Sequence, residues 1–155
     1  MLDPTPIFKA YDVRGLVPEQ FDAQLSQAMG GAWARLVQQK EPATTTVIVG
    51  RDMRPSGPEL VAAFTEGVTA QGLNVIDIGL CSTDMMYFAS GHLNLPGTVF
   101  TASHNPAGYN GIKFCLSAAR PVALDTGLDQ ARDQIQAGVP TGPGGGEVTH
   151  QDLLA

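Results

Sequence analysis

The residues with most to offer chemically lie in three polar segments, each at the end of an apolar run. They are residues 9–15 (KAYDVRG), 50–57 (GRDMRPSG) and 101–114 (TASHNPAGYNGIKF). In open α/β sheets ligands bind outside the carboxyl ends of the strands, so polar segments placed there are read first for function. In the third segment an apolar run ends at Ala102, and Ser103 stands at the mouth of a loop. Pro106, Gly108 and the Asn110-Gly111 pair then turn the chain sharply. Such a loop holds a hydroxyl out from a sheet edge, beside main-chain N–H groups that can cradle an anion. Lys113 returns on the next run and can bring a positive charge towards Ser103. Hydrolase chemistry fits poorly, because the sequence around Ser103, Thr-Ala-Ser-His-Asn, is not a G-x-S-x-G elbow. A Walker A loop is absent too. A serine that carries a phosphoryl group fits better. That group brings about −1.5 to −2 charges and needs cations or a metal beside it. Lys113, Arg14 and His104 are the cations to hand. The residues by themselves leave open the plainer reading of a serine that only stabilises its loop.

The surrounding pattern supplies the elements that must position these segments. Residues 22–39 repeat apolar side chains at three- and four-residue spacing (Leu25, Ala28, Met29, Ala32, Trp33, Leu36, Val37), which predicts a helix with Asp22 as N-cap and Trp33 in the core. Residues 45–50 read as a buried strand. Residues 56–72 read as a second helix, opened by a Ser56/Glu59 capping box and closed by Gly72. A strand over 73–80, a helix capped by Ser82 or Thr83 and ending near Gly91, strands over 97–102 and 111–116, and a helix over 125–137 follow. Strands three and four can form an antiparallel hairpin across Asn110-Gly111. Strands alternating with helices imply βαβ units, hence a three-layer α/β/α domain with a mixed, mainly parallel sheet. Residues 138–146 (GVPTGPGGG) are too rich in Gly and Pro for a packed element and read as a linker. The expected division is therefore a domain over 1–138 and, over 139–155, a linker towards a missing second domain.

Composition narrows the classes. With 155 residues and 43% apolar side chains the chain can bury one real core. The net charge of −6, with no basic run, argues against nucleic acid or an anionic membrane surface as a partner. Cys81 and Cys115 make no C-x-x-C and sit in apolar surroundings, so buried free thiols are expected. No secretory pattern or bilayer-length apolar run is present, which reads as a cytoplasmic protein. His92 and His150 have no metal-ligand spacing.

The loop Thr101-Ala-Ser-His-Asn-Pro106, followed by Tyr109-Asn-Gly-Ile-Lys-Phe114, resembles the active-serine loop of the α-D-phosphohexomutase superfamily. Phe8-Lys-Ala-Tyr-Asp-Val-Arg-Gly15 is similar to its N-terminal motif, and Gly50-Arg-Asp-Met-Arg-Pro-Ser-Gly57 to its second landmark. All three occur in the family's order, over nearly the whole chain to about Gly138. Phosphoglucosamine mutases tend to open with Thr-Asp-Gly-Ile-Arg-Gly. Ala10-Tyr-Asp-Val-Arg-Gly15 looks instead like the bacterial phosphomannomutase/phosphoglucomutase branch. A phosphoglucosamine mutase fragment and a non-catalytic phosphosugar-binding module are the alternatives.

The resemblance implies a function for each site residue. Ser103 matches the phosphoserine that interconverts hexose 1-phosphate and 6-phosphate, of mannose or glucose, through a 1,6-bisphosphate. Lys113 matches a lysine that stabilises the transferring group or assists proton transfer. Arg14 matches an arginine of the site, with a structural pair to Asp12 as the alternative. Tyr11 matches a substrate-contacting tyrosine, with core packing as its alternative. His104 is a further catalytic candidate, although adjacent side chains usually diverge. Arg51, Asp52 and Arg54 read as structural. The family also implies Mg²⁺, bound through the phosphate on Ser103 and an Asp-Gly-Asp-Gly-Asp loop of a second domain, and a sugar 1,6-bisphosphate activator. No Asp-Gly-Asp occurs in this chain, so no complete metal site is expected in it, and the remaining domains are expected as its partners. The isolated chain is accordingly expected to be inactive.

Overall fold

A computed structural model of the chain describes residues 1–152. Its framework is one seven-stranded sheet. The strands are β1 (Val13–Leu16), β2 (Thr46–Arg51), β3 (Asn74–Leu80), β4 (Gly97–Phe100), β5 (Tyr109–Leu116), β6 (Arg120–Pro121) and β7 (Val148–His150). Their order is β1-β5-β4-β2-β3-β7, with β6 attached to β5. β2 pairs in parallel with β3 and β4, and β3 with β7. β5 runs antiparallel to β1, β4 and β6. The sheet is therefore mixed, and β4 and β5 form the expected antiparallel pair, but not across Asn110-Gly111: both residues lie within β5, paired with Gly15 and Arg14 of β1, and residues 101–108 make the connection.

Two apolar faces follow from the alternation of side chains along the strands. Val47, Val49, Val75, Phe100, Ile112 and Phe114 meet the helices α1 (Ala23–Lys40), α2 (Gly57–Ala70) and α4 (Leu128–Ala137) in the larger core. Ile48, Val99 and Cys115, from the intervening positions, meet α3 (Thr83–Leu93) in a smaller one. This is the three-layer arrangement expected of the sequence. Trp33 is buried and packs against Phe114 with ring centroids 4.9 Å apart. The α1–α2 contact is close because two glycines face backbone. A Cβ on Gly30 would lie 2.0 Å from Phe64 O, and one on Gly67 would lie 2.0 Å from Gln27 O. Asp22 caps α1 by accepting from Leu25 N at 2.8 Å, and Ser82 caps α3 by accepting from Met85 N at 3.1 Å.

Two further expectations need correction, and one strand was not foreseen. Ser56 does not form a capping box. Its backbone is already helical and its side chain makes no cap bond; its Oγ instead accepts from Asn110 Nδ2 at 2.9 Å. Strand β1 was hidden among the polar residues of the first segment. Residues 139–147 do lack regular structure, but they are docked rather than free. Pro140 O accepts from Gln71 Nε2 at 2.7 Å, and Gly144 N donates to Ala70 O at 2.8 Å. The glycines make this docking possible: a Cβ on Gly142 would lie 2.6 Å from Ala70 O, and one on Gly146 would lie 2.0 Å from Leu73 O. The segment then adds β7 to the sheet. The end of the expected linker, residues 153–155, lies outside the described residues. Among the described residues no helix is long and apolar enough to cross a membrane.

Candidate active site

The three polar segments converge at the carboxyl ends of β2 and β4. Beyond β4, Thr101 N donates to Gly111 O at 2.9 Å, so the ladder to β5 runs one residue further before the chain leaves it. Ser103 then takes the left-handed conformation, φ 52°, with its N–H donating to Thr101 Oγ1 at 3.0 Å. A side chain with a Cβ adopts that conformation at a cost of roughly 1–2 kcal/mol, so neighbouring contacts must hold it. Ser103 and His104 are both exposed on this loop.

Arg54, from the turn between β2 and α2, is the principal contact. Its Nη1 donates to Pro106 O at 2.7 Å and Tyr109 O at 2.8 Å. Its Nη2 donates to Ser103 O at 2.9 Å and Asn105 O at 2.8 Å. Asp52 steadies the same turn by accepting from Arg54 N at 3.1 Å, and pairs with Arg54 Nε at 3.5 Å. The structural reading of Asp52 and Arg54 is thus given specific content, since one guanidinium gathers four carbonyls of the serine loop. Buried Asn110 secures the far end. Its Oδ1 accepts from Gly111 N at 2.8 Å, while its Nδ2 bonds Ser56. Gly111 is required where it is, because a Cβ there would lie 2.0 Å from Val13 O on β1.

The cations are organised by Asp12. This carboxylate, almost wholly buried, accepts from Arg14 Nε at 2.9 Å and from Lys113 Nζ at 3.1 Å. Arg14 Nη1 also donates to Asn105 Oδ1 at 3.2 Å, which ties the cation pair to the serine loop. The Asp12 pairing weighed as an alternative for Arg14 is therefore present, together with a contact to the loop. Arg14 and Lys113 come together because β1 and β5 are antiparallel neighbours, with Arg14 opposite Gly111 and Val13 opposite Ile112. Tyr11 is 78% exposed, which excludes core packing; it borders a surface groove with Leu124, Asp125, Asp129 and Arg132. Half-buried Tyr87 on α3 is a neighbour that sequence reading missed. Burial raises its hydroxyl above the usual tyrosine value, and the charges of Cys115 and then Asp12 add to this. Among the described residues no group of three or more His, Cys, Asp or Glu side chains is arranged to hold a metal. Asp12 is already taken up by its two cations.

An exposed serine on a tethered loop, with cations bonded to that loop, is the arrangement a phosphoryl carrier needs. Residues 5–138 match the family model described as phosphoglucomutase/phosphomannomutase, alpha/beta/alpha domain I. The chain belongs to this family. Domain I is 44% identical over 133 residues to a Xanthomonas campestris protein named for phosphohexose mutases, across 85% of this chain and 29% of that protein. It is 38% identical over 122 residues to a Vibrio cholerae phosphomannomutase, across 78% of this chain and 26% of that protein. A crystal structure of a phosphoglucomutase/phosphomannomutase family protein from Burkholderia thailandensis superimposes with a TM-score of 0.84 at 33% identity. That match covers 99% of this chain and 34% of the other. The domain thus spans under a third of the length of the two curated relatives named here.

Proposed function

We propose that this domain carries the phosphoserine of a phosphohexomutase that interconverts hexose 1-phosphate and 6-phosphate through a 1,6-bisphosphate. The observation that carries the reading is the exposed, left-handed Ser103 on a loop bonded to Arg14, which shares Asp12 with Lys113. The names of the relatives support mannose and glucose phosphates as substrates. In the transfer a sugar hydroxyl oxygen attacks the phosphorus and the bond to Ser103 Oγ breaks. The sugar proton passes to a base while Ser103 Oγ takes one up. The bisphosphate reorients and the reverse step returns its other phosphate to the serine. Such chemistry is chiefly positioning and electrostatic stabilisation, and Arg14 and Lys113 would supply the cations on this side of the cleft. Lys113 or His104 would move the proton, and exposed Tyr11 would meet the sugar. Mg²⁺ would find one oxygen ligand in the phosphate on Ser103, its remaining protein ligands coming from outside this chain. We place the enzyme in the cytoplasm, where hexose phosphates are found.

The deciding experiment is Ser103→Ala in a full-length enzyme that carries this domain, assayed with glucose 1-phosphate and mannose 1-phosphate plus a sugar 1,6-bisphosphate. Turnover should fall by at least about a thousandfold, with an unchanged melting temperature, because removing a hydroxyl from an exposed loop disturbs no packing. Wild-type-like turnover would end the proposal. The 155-residue chain by itself should show no turnover in the same assay, since the second wall of the cleft that holds a sugar in line is not in it.

A further inference from the structure

We propose that Arg54 is a positioning residue that turns main-chain N–H groups of the serine loop outward, as donors to the phosphate on Ser103. The inference rests on the reading of Ser103 as a phosphoryl carrier and adds how the apo loop is prepared for its charge. Arg54 bonds the carbonyls of Ser103, Asn105, Pro106 and Tyr109 at 2.7–2.9 Å. A trans peptide is planar, and its C=O and the following N–H point in opposite directions. Drawing Ser103 O and Pro106 O towards Arg54 therefore directs the N–H groups of His104 and Ala107 to the other side of the loop. Neither N–H has an acceptor among the described residues, whereas the Ser103, Asn105 and Tyr109 amides bond to Thr101 Oγ1, Ala102 O and Pro106 O. Two unpaired donors on a loop that begins with a left-handed serine are available to an anion held there. Arg54 is itself only 12% exposed at its side chain and all four of its loop contacts go to main chain, so it acts through the loop and not on the substrate. The side-chain cations are joined to the loop through other contacts, Arg14 by its bond to the Asn105 side chain and Lys113 only by way of the Asp12 it shares with Arg14. Phosphate binding thus has two separable components, one from side chains and one from the peptide groups that Arg54 aligns.

The test uses the 155-residue chain made with phosphoserine at position 103, followed by phosphorus and amide NMR as pH is varied. The second ionisation of a free phosphoserine lies near about 6, and donors to the dianion lower it. The wild-type chain should titrate about half a unit or more below a TASHNP phosphopeptide. Arg54→Gln should move the value back up towards the peptide, and Arg54→Lys should fall between. Arg14, Lys113, His104 and the Asp12 carboxylate are the other charged or titratable groups of the site and are common to every form, so only the difference between forms reports on Arg54. In the wild-type chain the His104 and Ala107 amide protons should move downfield as the phosphate ionises. A folded Arg54→Gln variant with the wild-type titration would overturn the proposal. So would amides of the wild-type chain that ignore the phosphate, a result that stands even if the variant does not fold. Either result leaves the mutase assignment intact, because that depends on turnover of Ser103→Ala in the full-length enzyme.

Discussion

Replacing Asp12 by asparagine separates the charge that organises the site from the shape that fills it. Asn keeps the volume but brings no charge and turns an NH₂ group towards one of two cations. Each of the two ion pairs, at 2.9 and 3.1 Å, has a Coulomb energy of roughly 5 kcal/mol at an effective dielectric near 20. The net value is much smaller, since burying the carboxylate costs hydration. Arg14 and Lys113 also remain 36% and 25% exposed, so solvent screens them. A stability loss of about 1–3 kcal/mol remains, equivalent to roughly 2–4 °C in Tm for each kcal/mol in a chain of this size. Urea unfolding of wild type and Asp12→Asn measures it directly. The variant should bind inorganic phosphate at least as tightly as wild type, because a competing anion has gone while both cations remain. Its full-length counterpart should nevertheless lose turnover, because the cations are no longer held in register with the loop. A stability change under about 0.5 kcal/mol would show that Asp12 does not organise the cations. A parallel loss of phosphate affinity would show that its charge is not in competition with the anion.

Gly67→Ala should destabilise the domain by about 2 kcal/mol or more, against the gain of up to about 1 kcal/mol that alanine brings to a free helix. The overlap with Gln27 O decides the sign, and thermal unfolding checks it. Cys81 is buried, and desolvation pushes its thiol from 9.0 to about 11. The unfolded chain therefore loses this proton first, and stability should fall as pH rises from about 9 to 11. Cys81→Ala should flatten that part of the pH profile, and the native thiol should react with iodoacetamide far more slowly at pH 8 than in urea.

The larger elements were legible because their signals are local. The apolar spacing of α1, its Asp22 cap and the β-branched run of β2 each lie within a few residues. What escaped notice depends on distant partners. Ser56 has the sequence of a capping box, but Asn110, 54 residues away, claims its hydroxyl. Arg54 read only as structural, together with Arg51 and Asp52, and its carbonyl partners lie 49 to 55 residues on. β1 is four residues long and its two half-exposed positions carry Arg14 and Leu16, so no polar–apolar alternation stands out. The Gly/Pro-rich segment was read by composition, which is blind to the close approach of backbone to backbone that glycine alone permits at Gly142 and Gly146. Of the candidate site, residue types and motif order were readable. The joining of Arg14 and Lys113 by one carboxylate was not, since it needs β1 laid against β5.

The charge balance at this site bears on what the domain can do unaided. Arg14 and Lys113 bring two positive charges, and Asp12 cancels one of them. Arg54 is matched by Asp52 and is turned towards carbonyls. One unit of positive charge is left to meet a phosphoserine that carries about −1.5 to −2. Main-chain N–H groups offset part of the difference as partial charges, but they add no net charge. A phosphorylated Ser103 on this chain would therefore remain electronegative, and a second phosphate, that of an incoming hexose phosphate, would be repelled by it. Adding a cation next to the loop, for example by Ala107→Lys, should then strengthen hexose phosphate binding to the phosphorylated chain at low salt more than to the unphosphorylated chain. The gain should shrink towards 1 M salt as the screening length drops to about 3 Å. An equal gain for both forms in a binding titration would mean that the serine phosphate is already neutralised by the groups of this domain.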